Sequence, residues 1–390
     1  MVDGQVRADF EQEFGVRPEL FVRSPGRVNL LGEHTDYNDG WVFPMALNMG
    51  TDVALRRRDD RMLRVAAPHF GAKDQVSLDE LRPQEGPEWT RYVRGVAALL
   101  GEAGYGLTGA DVLISGDLPV AAGLSSSASL ELGIAAGLMT LSGQLFDRVM
   151  LARLGQRVEN EIVGVQSGIL DQLAVAGGVA GRALLIDCRT LDIDPVPIPS
   201  DVRILVLHTG VSRTLAASAY NRRRAECESA LRTLSSVEPD LKALRDVSPK
   251  LLADEQQRLG DTELRRARHV VTENERVLTA ADALRSADVD AFGSLMTASH
   301  ASLRDDYEVS IFELDALVDI ALSTPGVLGA RMTGAGFGGC AVALVRTERA
   351  TSAATAITGR YRRATGRAGN AYICSPSDGV HVRWARDDVD

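Results

Sequence analysis

Apolar residues recur at helical spacing at the start of the chain. Val6, Phe10 and Phe14 predict an amphipathic helix within residues 1–20. Over residues 21–66 the pattern changes to short β-like runs, LFVRS, RVNLL, WVFPMAL, TDVALRRR and MLRVAA, separated by Gly, Asp and Asn turn signals. RYVRGVAALLGEAG predicts a helix over residues 91–104, and ADVLISGDLP a strand ending at a proline turn. Two further helices are predicted over residues 127–143 and 148–163.

GRALLIDCRTLDIDPVPIP reads as a strand followed by a proline-punctuated connection, and RILVLHTG starts the next strand. Residues 214–322 carry charged helices with apolar stripes, which predict helix packing. ARMTGAGFGGCAVALV is a strand, a glycine loop and a second strand; NAYICSPSDGVHVRW returns to strand, and ARDDVD is a solvated tail. Strands and helices interleave without a regular βαβ period, which predicts an α+β fold. Pro195, Pro197 and Pro199 crowd the connection near residue 200. The expected division is an N-terminal lobe over residues 1–200 and a C-terminal lobe over 201–390.

Composition narrows the function. The chain has 390 residues, 45% of them hydrophobic, enough for a large core and long enough for two domains. A net charge of −10 argues against a general nucleic-acid or anionic-membrane surface, while a small anion in a local site stays open. The four cysteines form no CxxC pair, as expected of reduced structural thiols. The N-terminus is acidic and lacks the apolar core of a signal peptide, and no apolar run approaches the ~20 residues of a membrane span. The expectation is a cytoplasmic protein.

Four stretches carry chemistry. GRVNLLGEHTDYNDGW crowds Arg27, Glu33, His34, Asp36 and Asn38 into a dozen residues, more varied polar chemistry than a surface turn requires. In LPVAAGLSSSASLELGIAAGLM a strand ends, small residues turn the chain, and serines open a helix. Small residues let a phosphate approach the backbone, and the unpaired first-turn amides form an anion site. A single serine would suffice for an ordinary cap, so three in a row exceed that need. No GxxxxGK[ST] motif occurs, so hydroxyls and carboxylates would have to carry any magnesium; Ser127 and the helical Glu159 are candidates, with a solvated helix position as the alternative for Glu159. GAGFGG precedes a β-like run instead of the helix a dinucleotide fingerprint demands. It reads as a tight strand connection that approaches a ligand or another backbone, or as a structural hairpin. Asp171 stands among Ile169, Leu170 and Leu173, where an acid either satisfies a structural partner or does chemistry, and Gln172 could orient it.

Three of these stretches together, GRVNLLGEHTDYNDG, PVAAGLSSSASLE and MTGAGFGGCAVAL, resemble the three motifs of the galactokinase branch of the superfamily of galactokinase, homoserine kinase, mevalonate kinase and phosphomevalonate kinase. GILDQ, ALLIDCRTL, SAYNRRRAECESA, RARHVVTENERV and SHASLRDDYEVSIFELD extend the similarity over nearly the whole chain. The resemblance implies a two-lobed α+β kinase with its site in the inter-lobe cleft. It would transfer the γ-phosphoryl group of MgATP to the C1 hydroxyl of α-D-galactose. A kinase for N-acetylgalactosamine or arabinose, or a non-catalytic galactose and ATP sensor, are the alternative readings. By position, Asp171 becomes the base and Arg27 the charge-stabilising residue. Glu33, His34, Thr35, Asp36, Gly168 and Tyr220 join Asp171 around the sugar. Ala121, Ala122, Gly123, Leu124, Ser125, Ser126 and Ser127 wrap the phosphates, Ser127 and Glu159 sit on magnesium, and Trp89 lies near the adenine. Members of this branch are often monomers. Ala121 stands where relatives usually carry glycine, which implies tuned nucleotide affinity.

Overall fold

The computed structural model describes residues 2–119, 123–211 and 216–385. The first half runs α1 (Val2–Phe14), β1 (Leu20–Asn29), β2 (Trp41–Val42), β3 (Pro44–Arg58), β4 (Met62–Ala67), β5 (Ala72–Ser77), α2 (Thr90–Glu102), β6 (Gly109–Gly116), α3 (Ser126–Leu141), α4 (Arg148–Arg157), α5 (Leu170–Gly177), β7 (Arg182–Asp187), β8 (Ile193–Pro197) and β9 (Val202–His208). The second half runs α6 (Ala216–Ser235), α7 (Pro249–Glu255), α8 (Asp261–Arg285), α9 (Val289–Asp305), α10 (Phe312–Leu322), β10 (Val327–Thr333), β11 (Cys340–Arg346), α11 (Ala350–Thr365), β12 (Asn370–Cys374) and β13 (His381–Trp384). Helices and sheets mix without a repeating βαβ unit, the α+β class expected from the sequence.

A six-stranded sheet has the order β13-β1-β3-β6-β4-β5. Its pairings are antiparallel except β4 with β6. A four-stranded antiparallel sheet, β10-β11-β9-β12, and a three-stranded sheet, β2-β7-β8, complete the strands. LFVRS and RVNLL, read as separate runs, form the single strand β1. Its register against β3 shifts between Pro25 and Arg27, and that irregularity absorbs the proline and glycine. The helix expected over 148–163 divides into α4 and a wider π-type turn over Val158–Val163 that carries Glu159.

One face of the large sheet packs on α2 and α3 through Val22, Val53, Leu55, Val93, Val96, Leu132 and Leu138. Helix α3 is apolar on nearly every side because it is covered by the sheet, α2, α4 and α5. A second core joins the halves: Val28, Phe43 and Met45 pack with Val277, Phe292, Met296 and Val342. β13 also pairs with β1, so the last strand closes on the segment that leads into residues 30–41. Among the described residues no helix is long and apolar enough to cross a membrane.

Candidate active site

The end of β1, the N-terminus of α3 and the first turn of α5 meet at one ion pair. The Arg27 Nε donates to Asp171 Oδ1 over 2.7 Å, and Nη2 lies 2.5 Å from the same oxygen. The remaining Arg27 nitrogen, Nη1, donates to the Gly123 carbonyl over 2.9 Å. The Ser125 hydroxyl donates to Asp171 Oδ2 over 2.5 Å. Arg27 is buried, whereas the Asp171 side chain remains 29% exposed. That contrast leaves a face of the carboxylate open to a reactant while its charge is compensated from behind.

Asp36 borders this pair. Burial, then the charge of Asp171, raise its pKa from 3.8 to about 6, with Glu33 adding to the rise. The Asp36 carboxylate also fills the space beside the Gly168 backbone: a Cβ on Gly168 would lie 1.7 Å from Oδ2. Tyr220 comes in from α6. Burial first, then Asp36, push its phenol well above the ordinary range.

The segment carrying Glu33 and His34 is braced from the distant glycine loop. Glu33 Oε1 accepts from the Thr333 hydroxyl at 2.9 Å and from the Gly334 amide at 2.6 Å, and Arg331 Nη2 lies 3.4 Å away. His34 adopts the left-handed conformation, with φ 63°. Its Nε2 lies 3.2 Å from the Ala335 carbonyl and its Nδ1 2.8 Å from the Tyr37 hydroxyl. Burial above all lowers the imidazole pKa to about 3, so the ring is neutral. GAGFGG is thus a tight connection approaching another backbone segment, the one that carries Glu33 and His34. Thr35 stands apart from its neighbours. It is fully buried, and its hydroxyl is shared between the carbonyls of Gly32 and Trp41, both at 2.8 Å. Adjacency in sequence grouped Thr35 with the sugar contacts, but its side chain faces the turn itself.

The serine loop is described from Gly123 onward; Ala121 and Ala122 lie outside the described residues. The Leu124 carbonyl accepts from the Arg27 amide, and Ser125 takes the left-handed conformation (φ 58°) as the α3 cap. The Ser125 hydroxyl is therefore directed to Asp171, away from the helix N-terminus. Ser126 and Ser127 open α3 and border a cavity of about 260 Å3, together with Phe70, Trp89, Tyr92 and Leu118. The Ser127 hydroxyl donates to Glu159 Oε1 at 2.7 Å, and the Ser167 hydroxyl to Oε2 at 2.5 Å. Glu159 is buried, not a solvated helix position. Beside it Glu131 is fully buried next to Gln172, and burial, then the charges of Glu159 and Asp171, raise its pKa well above the usual range.

Sequence reasoning missed Ser167, Glu131, Thr333, Tyr37, Tyr307 and Cys227. Ser167 precedes Gly168 and could have been found from that neighbourhood. Glu131 lies one helical turn after Ser127, so the i, i+4 spacing was its signal. Tyr307 and Cys227 carry no local signal, because only the tertiary fold brings them to residue 34.

Known proteins resemble the chain over its whole length. A family model described as the galactokinase galactose-binding signature matches residues 8–57, the N-terminal domain model of the GHMP kinases matches 91–178, and their C-terminal model matches 280–363. The galactokinase of Roseiflexus sp. (strain RS-1) is 48% identical over 377 residues, covering 97% of this chain and 96% of its own. That of Chloroflexus aggregans is 48% identical over 383 residues, covering 98% of each. The crystal structure of Lactococcus lactis galactokinase complexed with galactose superposes with a TM-score of 0.93 at 40% identity, covering 98% of this chain and 100% of that one. A mevalonate kinase structure shares the fold, with a TM-score of 0.65 at 19% identity over 92% of this chain and 99% of that one. The identity and coverage across these relatives place the chain in the galactokinase family.

Proposed function

We propose that this ATP-dependent sugar kinase phosphorylates the C1 hydroxyl of α-D-galactose, giving galactose 1-phosphate and ADP. The observation that carries the reading is the Arg27–Asp171–Ser125 constellation, set between the Asp36 pocket and the N-terminus of α3.

Phosphoryl transfer leaves the protein two tasks: aligning the attacking hydroxyl and stabilising charge on the phosphoryl oxygens. Asp171 accepts the C1 hydroxyl proton on its exposed face. A carboxylate is a weak base toward a sugar hydroxyl, so the placement of Asp171 contributes alongside its basicity. Arg27 holds that carboxylate and presents a fixed cation where phosphoryl charge develops. Asp36, Tyr220 and the Gly168 backbone take the sugar hydroxyls, with Glu33 and His34 forming the braced wall. A site built from such groups rejects a sugar lacking the matching hydroxyl, because its own polar groups would be left unpaired.

The first-turn amides of α3 receive the phosphates, and the cavity beside Trp89 takes the base. Magnesium fits the chemistry present: Glu159 and Ser127 supply hard oxygen donors, with a second carboxyl, that of buried Glu131, close to Glu159. Magnesium sites of this type use one or two carboxylates and complete the shell with phosphate oxygens and water. When bound, the ion would neutralise charge on the nucleotide phosphates.

The test is ADP release by the purified protein with a panel of sugars. Galactose should be preferred by kcat/KM. Preferred turnover of N-acetylgalactosamine or arabinose would overturn the substrate, and absence of turnover with any sugar would overturn the activity.

A further inference from the structure

A buried chain of side chains runs from α6 to the sugar motif. The Cys227 sulfur lies 3.0 Å from the Tyr307 hydroxyl, which lies 2.6 Å from the Tyr37 hydroxyl, which lies 2.8 Å from His34 Nδ1. His34 Nε2 closes the chain at the Ala335 carbonyl, 3.2 Å away. Cys227 and Tyr307 are essentially inaccessible to solvent.

The direction of every bond follows from its end. A carbonyl can only accept, so Nε2 carries the imidazole proton and Nδ1 is the acceptor. Tyr37 therefore donates to Nδ1. Its single proton is spent there, so Tyr307 donates to Tyr37, and the Cys227 thiol donates to Tyr307. The groups stay neutral at ordinary pH: burial lowers the His34 pKa to about 3 and raises the Cys227 pKa to about 11. Tyr307 is itself held in place. Its carbonyl accepts from Arg223 Nε at 2.7 Å, and its ring packs 4.5 Å from His269 and 4.8 Å from His34, centroid to centroid.

The chain ends at the sugar-facing wall. The Tyr220 ring lies 5.4 Å from His34 and 5.3 Å, edge-on, from Tyr37. Both ring nitrogens of His34 are engaged by protein, so its imidazole acts through its shape and place.

We propose that Tyr37, Tyr307 and Cys227 are positioning residues of the sugar site: they lock His34 in one tautomer and rotamer, and His34 with Tyr37 sets Tyr220 beside Asp36. The sugar half of this inference rests on the galactose reading; the tautomer half does not.

Two measurements test it on the full chain. The imidazole 15N shifts of His34 without ligand should report a neutral Nε2–H ring from pH 5 to 8. An Nδ1–H ring, or protonation within that range, would overturn the proposal whatever the substrate. Galactose titration calorimetry then compares wild type with Tyr37→Phe, Tyr307→Phe, Cys227→Ala and Cys227→Ser. Tyr37→Phe should weaken galactose on the order of tenfold, the scale of leaving a buried acceptor unpaired, while the ATP KM stays within about twofold. Cys227→Ser keeps a donor and should bind more tightly than Cys227→Ala; this pair decides if a tyrosine variant fails to fold. Wild-type galactose affinity in Tyr37→Phe, or equal affinities in the cysteine pair, would overturn the proposal. A wild-type protein that does not bind galactose would instead overturn the substrate reading, and the 15N result would stand apart from it.

Discussion

The Ser125 hydroxyl donates to Oδ2 of Asp171 over 2.5 Å, so the loop that opens α3, the proposed phosphate-binding helix, also holds the proposed base. The serine reaches it from a left-handed backbone conformation (φ 58°) that costs a non-glycine residue on the order of 1 kcal/mol. Ser125→Ala and Ser125→Gly remove the same hydrogen bond, but only glycine relieves the backbone. Both variants should lower kcat about 5- to 20-fold, with Ser125→Gly the more stable of the two. Steady-state kinetics and thermal unfolding on the pair separate the catalytic effect from the conformational one.

Asp171→Asn keeps the shape and removes the charge. It should lower kcat by roughly 10²-fold or more, the usual scale for a positioned acid or base. It also leaves the buried Arg27 guanidinium uncompensated, so the melting temperature should fall as well. Near-normal turnover with galactose would remove Asp171 from the chemistry.

Asp36 sets the pH dependence. Its folded pKa of about 6 lies above the ordinary 3.8, and the titratable groups around it include Asp171, Glu33, Tyr220 and Cys188. Sugar hydroxyls donate to an ionised carboxylate, so the galactose KM should fall as pH rises through about 6 and level off above it. His34, with a pKa near 3, contributes nothing in this window. Asp36→Asn should raise the KM and flatten its profile. Stability runs the other way. Between pH 3.8 and about 6 the folded state holds more protons at Asp36 than the unfolded chain, so this group's contribution declines as pH rises through that window. Calorimetric unfolding of wild type and Asp36→Asn across pH 4–7 checks the sign.

Of the proposed pair, Asp171 drew attention locally, and Arg27 came in through the resemblance. Asp171 stood out because an acid among Ile169, Leu170 and Leu173 is costly without a purpose. The α+β class followed from the irregular alternation of strand and helix patterns. Adjacency to Asp36 says nothing of where the Thr35 side chain points, and in the structure it turns to the Gly32 and Trp41 carbonyls. The Ser125 contact with α5 had no local signal, because an N-cap position normally keeps its hydroxyl for the helix and this one adopts a left-handed conformation. The brace on Glu33 and His34 was invisible because residues 33 and 334 meet only once β10 and β11 have folded.

Glu159 gives the metal reading its test. Its two oxygens accept from Ser127 and Ser167; Glu159→Gln keeps the side-chain shape and removes the charge, while its NH2 group turns one of the two serine hydroxyls from donor to acceptor. The magnesium concentration for half-maximal rate should rise about tenfold or more, with the galactose KM unchanged. An unaltered magnesium titration would move the ion elsewhere.

Gly168→Ala is the narrowest probe of the sugar pocket. The added Cβ would fall 1.7 Å from Oδ2 and 2.3 Å from Cγ of Asp36, so the carboxylate must leave its place. Gly168 lies outside the left-handed region, so the effect is contact and not backbone strain. Displacing Asp36 takes away the acceptor proposed for the sugar but leaves the Arg27–Asp171 pair and the α3 N-terminus intact. The galactose KM should therefore rise by more than tenfold while the ATP KM changes by less than about twofold, since a misplaced buried partner costs about 1–3 kcal/mol. Adding Asp36→Ala to Gly168→Ala should cost little more than either change alone, because both empty the same contact. Additive losses in the double variant would mean that Gly168 serves the sugar through something other than Asp36.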